Sequence, residues 1–280
     1  MLTATTIEEV RAWERTAHGQ GRTTALVPTM GALHEGHLAL VRRAAQIARE
    51  VAVSIFVNPA QFGPHEDFSR YPRALESDLA KCERENVAAV FSPSVETMYP
   101  AGFRTRVHVE GLSERLEGAS RPGHFQGVTT VVLKLLEIVR PDVAVFGWKD
   151  AQQFVILRRM AEDLNLPVAL EAVETVRERD GLALSSRNAY LSPAERRAAP
   201  VLHRALQAGL ARIIAGARTV APVEAAIREA LAEEPLVILD RLDIVHLDTL
   251  EPIERIAPGK TLMALAAKLG STRLIDNVRC

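Results

Sequence analysis

The sequence predicts an α/β protein in which a parallel sheet with its covering helices occupies residues 1–175 and a smaller α+β module occupies residues 176–280. Three observations carry this expectation. Short, nearly unbroken apolar runs recur at residues 24–28, 51–57, 88–91 and 142–146, as expected of strands covered on both faces. Stretches with helical periodicity separate them, and strand–helix–strand alternation favours parallel pairing with right-handed crossovers. Past residue 175 the order changes to a run of helices followed by strand-like segments.

The elements follow in chain order. Residues 7–16 form a surface helix, with Thr5 or Thr6 as cap and glutamates in its first turn. The strand at 24–28 leads through Met30-Gly-Ala-Leu-His-Glu-Gly-His37 into a helix over 38–50, with Leu38, Val41, Ala45 and Ala48 on its apolar face. The strand at 51–57 ends at Asn58-Pro59. A loop over 60–72 then carries Gln61, Phe62, Gly63, His65, Asp67 and Tyr71, and a loop this long on a rigid scaffold is more often functional than idle. A helix over 74–85 and a strand over 88–91 come next, then an irregular stretch with a strand at 106–109 and a short helix at 112–116. Arg121-Pro-Gly-His124 opens a deeply buried helix over 128–139. The strand at 142–146 runs through Gly147-Trp-Lys-Asp150 into a helix over 152–164, and a strand at 167–173 completes the sheet. In the second module Ser192-Pro193, with Glu195, starts a helix over 194–209. A helix over 223–232 and strands over 242–247, 261–267 and 272–278 finish the chain.

Composition narrows the function. Of 280 residues, 48% are hydrophobic and 25% charged, and the net charge of −1 offers neither a basic nucleic-acid face nor an acidic tail. The two cysteines, Cys82 and Cys280, form no disulfide framework or zinc set, which points to a reducing cytoplasm. No signal-peptide pattern begins the chain, and no apolar run reaches the roughly 18 residues a membrane span requires.

Two turns stand out, because in open parallel sheets ligands bind at the carboxyl ends of the strands. In the first, Gly36 permits close backbone approach to a phosphate, and His34 and His37 supply donors for phosphoryl oxygens. A zinc reading wants histidines four apart on one helix face; these are three apart and lack an obvious third ligand. Each histidine taken singly is ordinary turn or helix-start chemistry. In the second turn Lys149 offers a point charge for phosphate, and Asp150 suits a ribose hydroxyl or a metal-bound water. Elsewhere such a pair is a solvated surface pair; its place after a buried strand and Gly147 distinguishes it. Ser185-Ser-Arg-Asn188 can wrap a triphosphate or serve simply as a polar turn. Gln61 and Gln153 suit the hydroxyl and carboxylate groups of a small substrate, and equally suit a protein surface.

Together these blocks resemble the pantothenate synthetase family, the pantoate–β-alanine ligases of the His-x-Gly-His nucleotidyltransferase superfamily. Pro28-Thr-Met-Gly-Ala-Leu-His-Glu-Gly-His37, Phe56-Val-Asn-Pro-Ala-Gln-Phe-Gly63, Tyr71-Pro-Arg73, Arg121-Pro-Gly-His-Phe125, Phe146-Gly-Trp-Lys-Asp150, Gln152-Gln153 and Leu184-Ser-Ser-Arg-Asn188 are similar to family blocks in the same order, over essentially the whole chain. One His-x-Gly-His is weak; seven ordered blocks are specific. The resemblance implies a Rossmann-like N-terminal domain binding ATP and pantoate, a C-terminal lid, a cytoplasmic homodimer and a magnesium requirement. It also implies that ATP and (R)-pantoate form pantoyl adenylate, which β-alanine converts to pantothenate. His34, His37 and Lys149 would be catalytic, with His37 the group usually assigned as proton donor. Met30, Gly36, Gly147, Asp150, Val176, Leu184, Ser185, Ser186 and Arg187 would complete the ATP site. Gln61 and Gln153 would hold pantoate, with Asn58 and His124 nearby, and Asp78 would contribute to magnesium binding.

Three positions depart from the family pattern. Trp148 stands where glutamate is usual, Ala151 where an aromatic is usual, and Leu184 where methionine is common. Trp148 and Ala151 flank the Lys149-Asp150 pair and so bear on the geometry of the ATP site. Two other readings accompany the ligase: a nucleotidyltransferase acting on a phosphorylated acceptor, and an ATP-binding regulatory protein without turnover.

Overall fold

The computed structural model describes residues 1–64 and 68–280; His65 and Asp67, noted above in the long loop, lie outside the described residues. These residues divide into two compact units, Met1–Glu174 and Thr175–Cys280.

The first unit is built on six strands: β1 (Leu2–Ala4), β2 (Thr24–Thr29), β3 (Glu50–Ile55), β4 (Ala89–Phe91), β5 (Val143–Gly147) and β6 (Ala169–Val173). They form one parallel sheet in the order β1-β4-β3-β2-β5-β6. Its helices are α1 (Ile7–Gly19), α2 (Glu35–Ile47), α3 (Leu75–Arg84), α4 (Val95–Met98), α5 (Glu117–Ser120), α6 (His124–Val139) and α7 (Ala151–Asp163). The chain runs outward from β2 through β3 to β4, then returns to place β5 on the other side of β2. Strands β2 and β5 are therefore the switch point, where two outgoing turns diverge and leave a crevice at the carboxyl edge. Ala25 pairs with Val143 and Leu26 with Ala144, so the turns after Thr29 and Gly147 emerge side by side. Ala25, Val27, Val41, Ala44, Val53, Val90 and Val145 fill the core between the sheet and the helices of one face.

The second unit holds α8 (Pro193–Ala198), α9 (Val201–Ile214) and α10 (Val220–Ala232), then β7 (Val237–His246), β8 (Thr261–Leu269) and β9 (Thr272–Arg279) in an antiparallel sheet. Leu202, Leu206, Val223, Ile227, Met263 and Leu265 form its core. Among the described residues no helix is long and apolar enough to cross a membrane.

Several local expectations need correction. Residues 106–109 form no strand and 112–116 no helix; the short helix there is α5. The helix expected over 194–209 breaks into α8 and α9 around Pro200, whose missing N–H cannot continue the ladder. Strand β1 was not anticipated, since three residues beside a helix cap carry little periodic signal. Helix α2 begins three residues before the expected Leu38, because His34 is its cap.

Candidate active site

The turn after β2 is held by a residue far away in sequence. Gly31 and Ala32 both adopt left-handed backbone, with φ of 83° and 51°. At Gly31 an added Cβ would lie 3.1 Å from both Asp78 Oδ2 and Ile55 Cγ2. This conformation turns successive N–H groups to one side, a nest that binds an anion. The anion here is the protein's own: Asp78 accepts from Ala32 N–H and Leu33 N–H, each at 2.8 Å. Lys81, one helical turn on in α3, donates to the Leu33 carbonyl at 2.7 Å and lies 3.6 Å from Asp78 Oδ1. Asp78 is 0% exposed. With both oxygens engaged and no surface open, Asp78 clamps the loop.

His34 caps α2 in an imidazole version of the capping box. Its Nδ1 accepts from Gly36 N–H at 3.1 Å, while His37 Nδ1 accepts from His34 N–H at 3.2 Å. A neutral imidazole that accepts at Nδ1 carries its proton on Nε2. The two rings, 4.1 Å apart between centroids, therefore each keep an Nε2–H donor. The helix-start amides are already engaged: Gly36 N–H is bonded to His34 Nδ1, and the amides of His37 and Leu38 to the His34 carbonyl.

Burial, then the neighbouring His34, pushes His37 down to about 3, with Lys149 and Lys81 adding to the depression and Asp150 opposing it. Burial, then Lys149 and Lys81, lowers His34 as well. Burial and the neighbouring cations thus favour the neutral form of both rings, in which each presents an Nε2–H. The unfolded chain takes up a proton at His37 near the ordinary value of 6.5, and the folded chain only near 3. Stability is thus full above that upper value and falls as the pH drops through the window between the two. NMR of the imidazole nitrogens at pH 5 is expected to show His37 as the Nε2–H tautomer; an imidazolium at that pH would refute this geometry.

The turn after β5 brings the second cluster beside the first. Gly147 has ordinary extended backbone, and an added Cβ would meet only Leu40 Cδ2 at 4.0 Å, so packing does not demand glycine there. Trp148 to Asp150 form one 3-10 turn. Lys149 Nζ lies 3.7 Å from Asp150 Oδ1, with the side chains 23% and 49% exposed. Trp148 is only 4% exposed and meets the Phe154 ring at 5.6 Å, and Ala151 is likewise buried. The unusual Trp148–Ala151 pair is therefore accommodated in the core.

A third cluster forms after β3. Asn58 caps the Pro59–Gln61 turn, with Oδ1 accepting from Ala60 N–H at 3.2 Å and Nδ2 donating to the Gly127 carbonyl at 3.1 Å. Gln61 and Met30 meet here, Gln61 Nε2 donating to Met30 Sδ at 3.1 Å. His124 Nδ1 lies 2.8 Å from the Gln61 carbonyl. Helix α6 comes so close that a Cβ on Gly127 would sit 2.1 Å from the Ala60 carbonyl oxygen. Gln153 is half-buried on α7. Its neighbour Gln152 has a structural task, donating to the Leu112 and Arg115 carbonyls and accepting from Glu117 N–H.

Val176 and the serine–arginine loop belong to the second unit. Leu184 N–H donates to the Val176 carbonyl at 3.0 Å, Ser185 Oγ accepts from Arg187 N–H at 3.2 Å, and Ser186 and Arg187 are half-buried in the turn that follows. Arg177 pairs with Asp276 through two bonds of 2.6 and 2.8 Å and ties this segment to β9. Sequence reasoning missed Lys81 and Tyr99, and the capping geometry of the histidines.

Known proteins are similar to this chain along its whole length. The family model described as Pantoate-beta-alanine ligase matches residues 2–279. The pantothenate synthetase of Heliobacterium modesticaldum is 55% identical over 272 residues, covering 97% of this chain and 96% of that one. Among solved structures, pantothenate synthetase from Thermus thermophilus aligns with a TM-score of 0.94 at 49% identity, covering 100% of this chain and 99% of that one. The pantoate-beta-alanine ligase from Francisella tularensis, complexed with beta-gamma ATP and beta-alanine, aligns with a TM-score of 0.80 at 30% identity, covering 100% and 97%. The chain belongs to the pantoate-beta-alanine ligase family.

Proposed function

We propose that the chain condenses (R)-pantoate with β-alanine at the expense of ATP, in two steps. A pantoate carboxylate oxygen attacks the α-phosphorus, pyrophosphate leaves, and pantoyl adenylate forms. The β-alanine amine then attacks the acyl carbon, AMP leaves with the bonding electrons, and the amine loses a proton to give the amide of pantothenate. Pantoate is itself the first nucleophile, so no protein nucleophile is needed.

The observation that carries this reading is the placement of two neutral Nε2–H imidazoles and Lys149 at one switch point, beside the Gln61 cluster. A carboxylate approaching a triphosphate faces like charge, so donors preorganised around the phosphates are the plausible source of rate. His34, His37 and Lys149 take the phosphates; Met30, Gly36, Gly147 and Asp150 line the nucleotide. Leu184, Ser185, Ser186 and Arg187 are assigned to ATP through their family block, and Val176 through the family resemblance. Gln61 and Gln153 take pantoate, with Asn58 and His124 supporting them. Magnesium would accompany the triphosphate, with Asp78 the residue that the family resemblance assigns to it, and no step above depends on it. A cytoplasmic homodimer belongs to the same proposal, and light scattering checks the assembly.

Pyrophosphate should be released from ATP only when pantoate is present, and AMP and pantothenate should appear when β-alanine is added. Release that ignores pantoate would exclude this reading.

A further inference from the structure

The Gln61 cluster continues into a residue that no block of the sequence had singled out. Tyr99, just after α4, donates its hydroxyl to Asn58 Oδ1 at 2.7 Å. Asn58 Nδ2 in turn donates to Gln61 Oε1 at 3.0 Å, and Gln61 Nε2 donates to Met30 Sδ at 3.1 Å. We infer that Tyr99 is a positioning residue for the acid substrate: acting through Asn58, it holds Gln61 with its amide N–H groups, and not its carbonyl, toward the ligand.

The polarity of the chain follows from its fixed ends. An amide can be placed either way round, and its partners decide which. Ala60 N–H can only donate, so the Asn58 atom beside it is the oxygen; the Gly127 carbonyl can only accept, so the atom beside that is the nitrogen. Asn58 is 1% exposed, so a reversed amide would bury two unsatisfied pairs. Asn58 Nδ2 can then meet only an acceptor on Gln61, which fixes Gln61 Oε1 inward. Tyr99 adds the shortest bond of the chain, to the Asn58 oxygen that is already committed. Its phenol, held between the rings of Phe56 and Phe103 and pushed up to about 12 by burial, remains a donor throughout the working pH range.

At the other end, Gln61 Nε2–H rests on a thioether, a weak acceptor. A carboxylate or hydroxyl oxygen of a small hydroxy acid is a far better one, so exchange of partners on binding is favourable. A ligand that offered a donor at this place would meet a donor and be rejected. The relay thereby selects a ligand with an acceptor at this place over an analogue that offers only a donor there, such as an ammonium.

This inference rests on the assignment of Gln61 to pantoate, and a double-mutant cycle separates the two. Gln61→Ala tests the assignment and should raise the pantoate KM strongly while leaving the ATP KM unchanged. Tyr99→Phe should raise the pantoate KM about tenfold, the scale of one lost hydrogen bond, again with the ATP KM unchanged. In the Gln61→Ala background, Tyr99→Phe should add no further rise, because its route of action is gone. Partial misfolding of the Phe variant lowers kcat and moves neither KM, so the readout survives it. A normal pantoate KM in Gln61→Ala removes Gln61 from binding and the relay with it. A normal pantoate KM in Tyr99→Phe, or a full additional effect in the double variant, overturns the relay alone.

Discussion

Replacing Lys149 by alanine is expected to lower adenylate formation by at least about a hundredfold, the scale of losing one preorganised charge donor. The reason is local. Burial favours the neutral form of His34 and His37, and of the two lysines that act on His34, Lys149 is the stronger influence. Its ammonium sits at the end of a buried strand beside Asp150, on a turn that is anchored at Trp148 in the core. Little rearrangement is then needed to meet a phosphate. Single-turnover pyrophosphate release is the measurement that checks this, since product release does not mask it. Near-normal turnover in Lys149→Ala would remove the residue from the mechanism.

Asp78→Asn is the second large effect, and it should appear in stability as well as activity. Each backbone N–H bonded to a buried carboxylate contributes about 1.5–3 kcal/mol. An asparagine supplies one acceptor where two N–H groups converge, so one of Ala32 and Leu33 loses its partner and faces an NH2 group. Denaturant unfolding should show a loss of about 2 kcal/mol. Activity should fall too, because the clamped segment leads directly into His34. The magnesium role expected from resemblance makes the opposite forecast: unaltered stability, with activity restored by raising magnesium. That pattern would overturn the clamp.

Much of the fold was legible because its signals are local. Buried parallel strands such as β2 and β3 read as unbroken apolar runs, since helices cover both faces of the sheet. The two turns were legible because glycine and polar residues following such a run have few other uses. The start of α2 was misplaced by three residues because imidazole is not a usual cap, and only the Nδ1 bonds reveal it. Trp148 gave no sign from its neighbours that the core would hold it.

By itself, then, the sequence determined most of the order of strands and helices, the two turns at the carboxyl edge of the sheet, and the family to which its blocks belong. The tertiary structure decided which distant residue completes each turn. Asp78 reaches Ala32 across 46 positions, and Tyr99 reaches Asn58 across 41. It decided the protonation of the histidines as well, because burial and the approach of Lys149 and Lys81 depend on three-dimensional packing. Periodicity and capping act within a turn or two of the chain. Hydrogen bonds and charge act through space, and only the folded sheet brings β2, β3 and β5 close enough for them to act together.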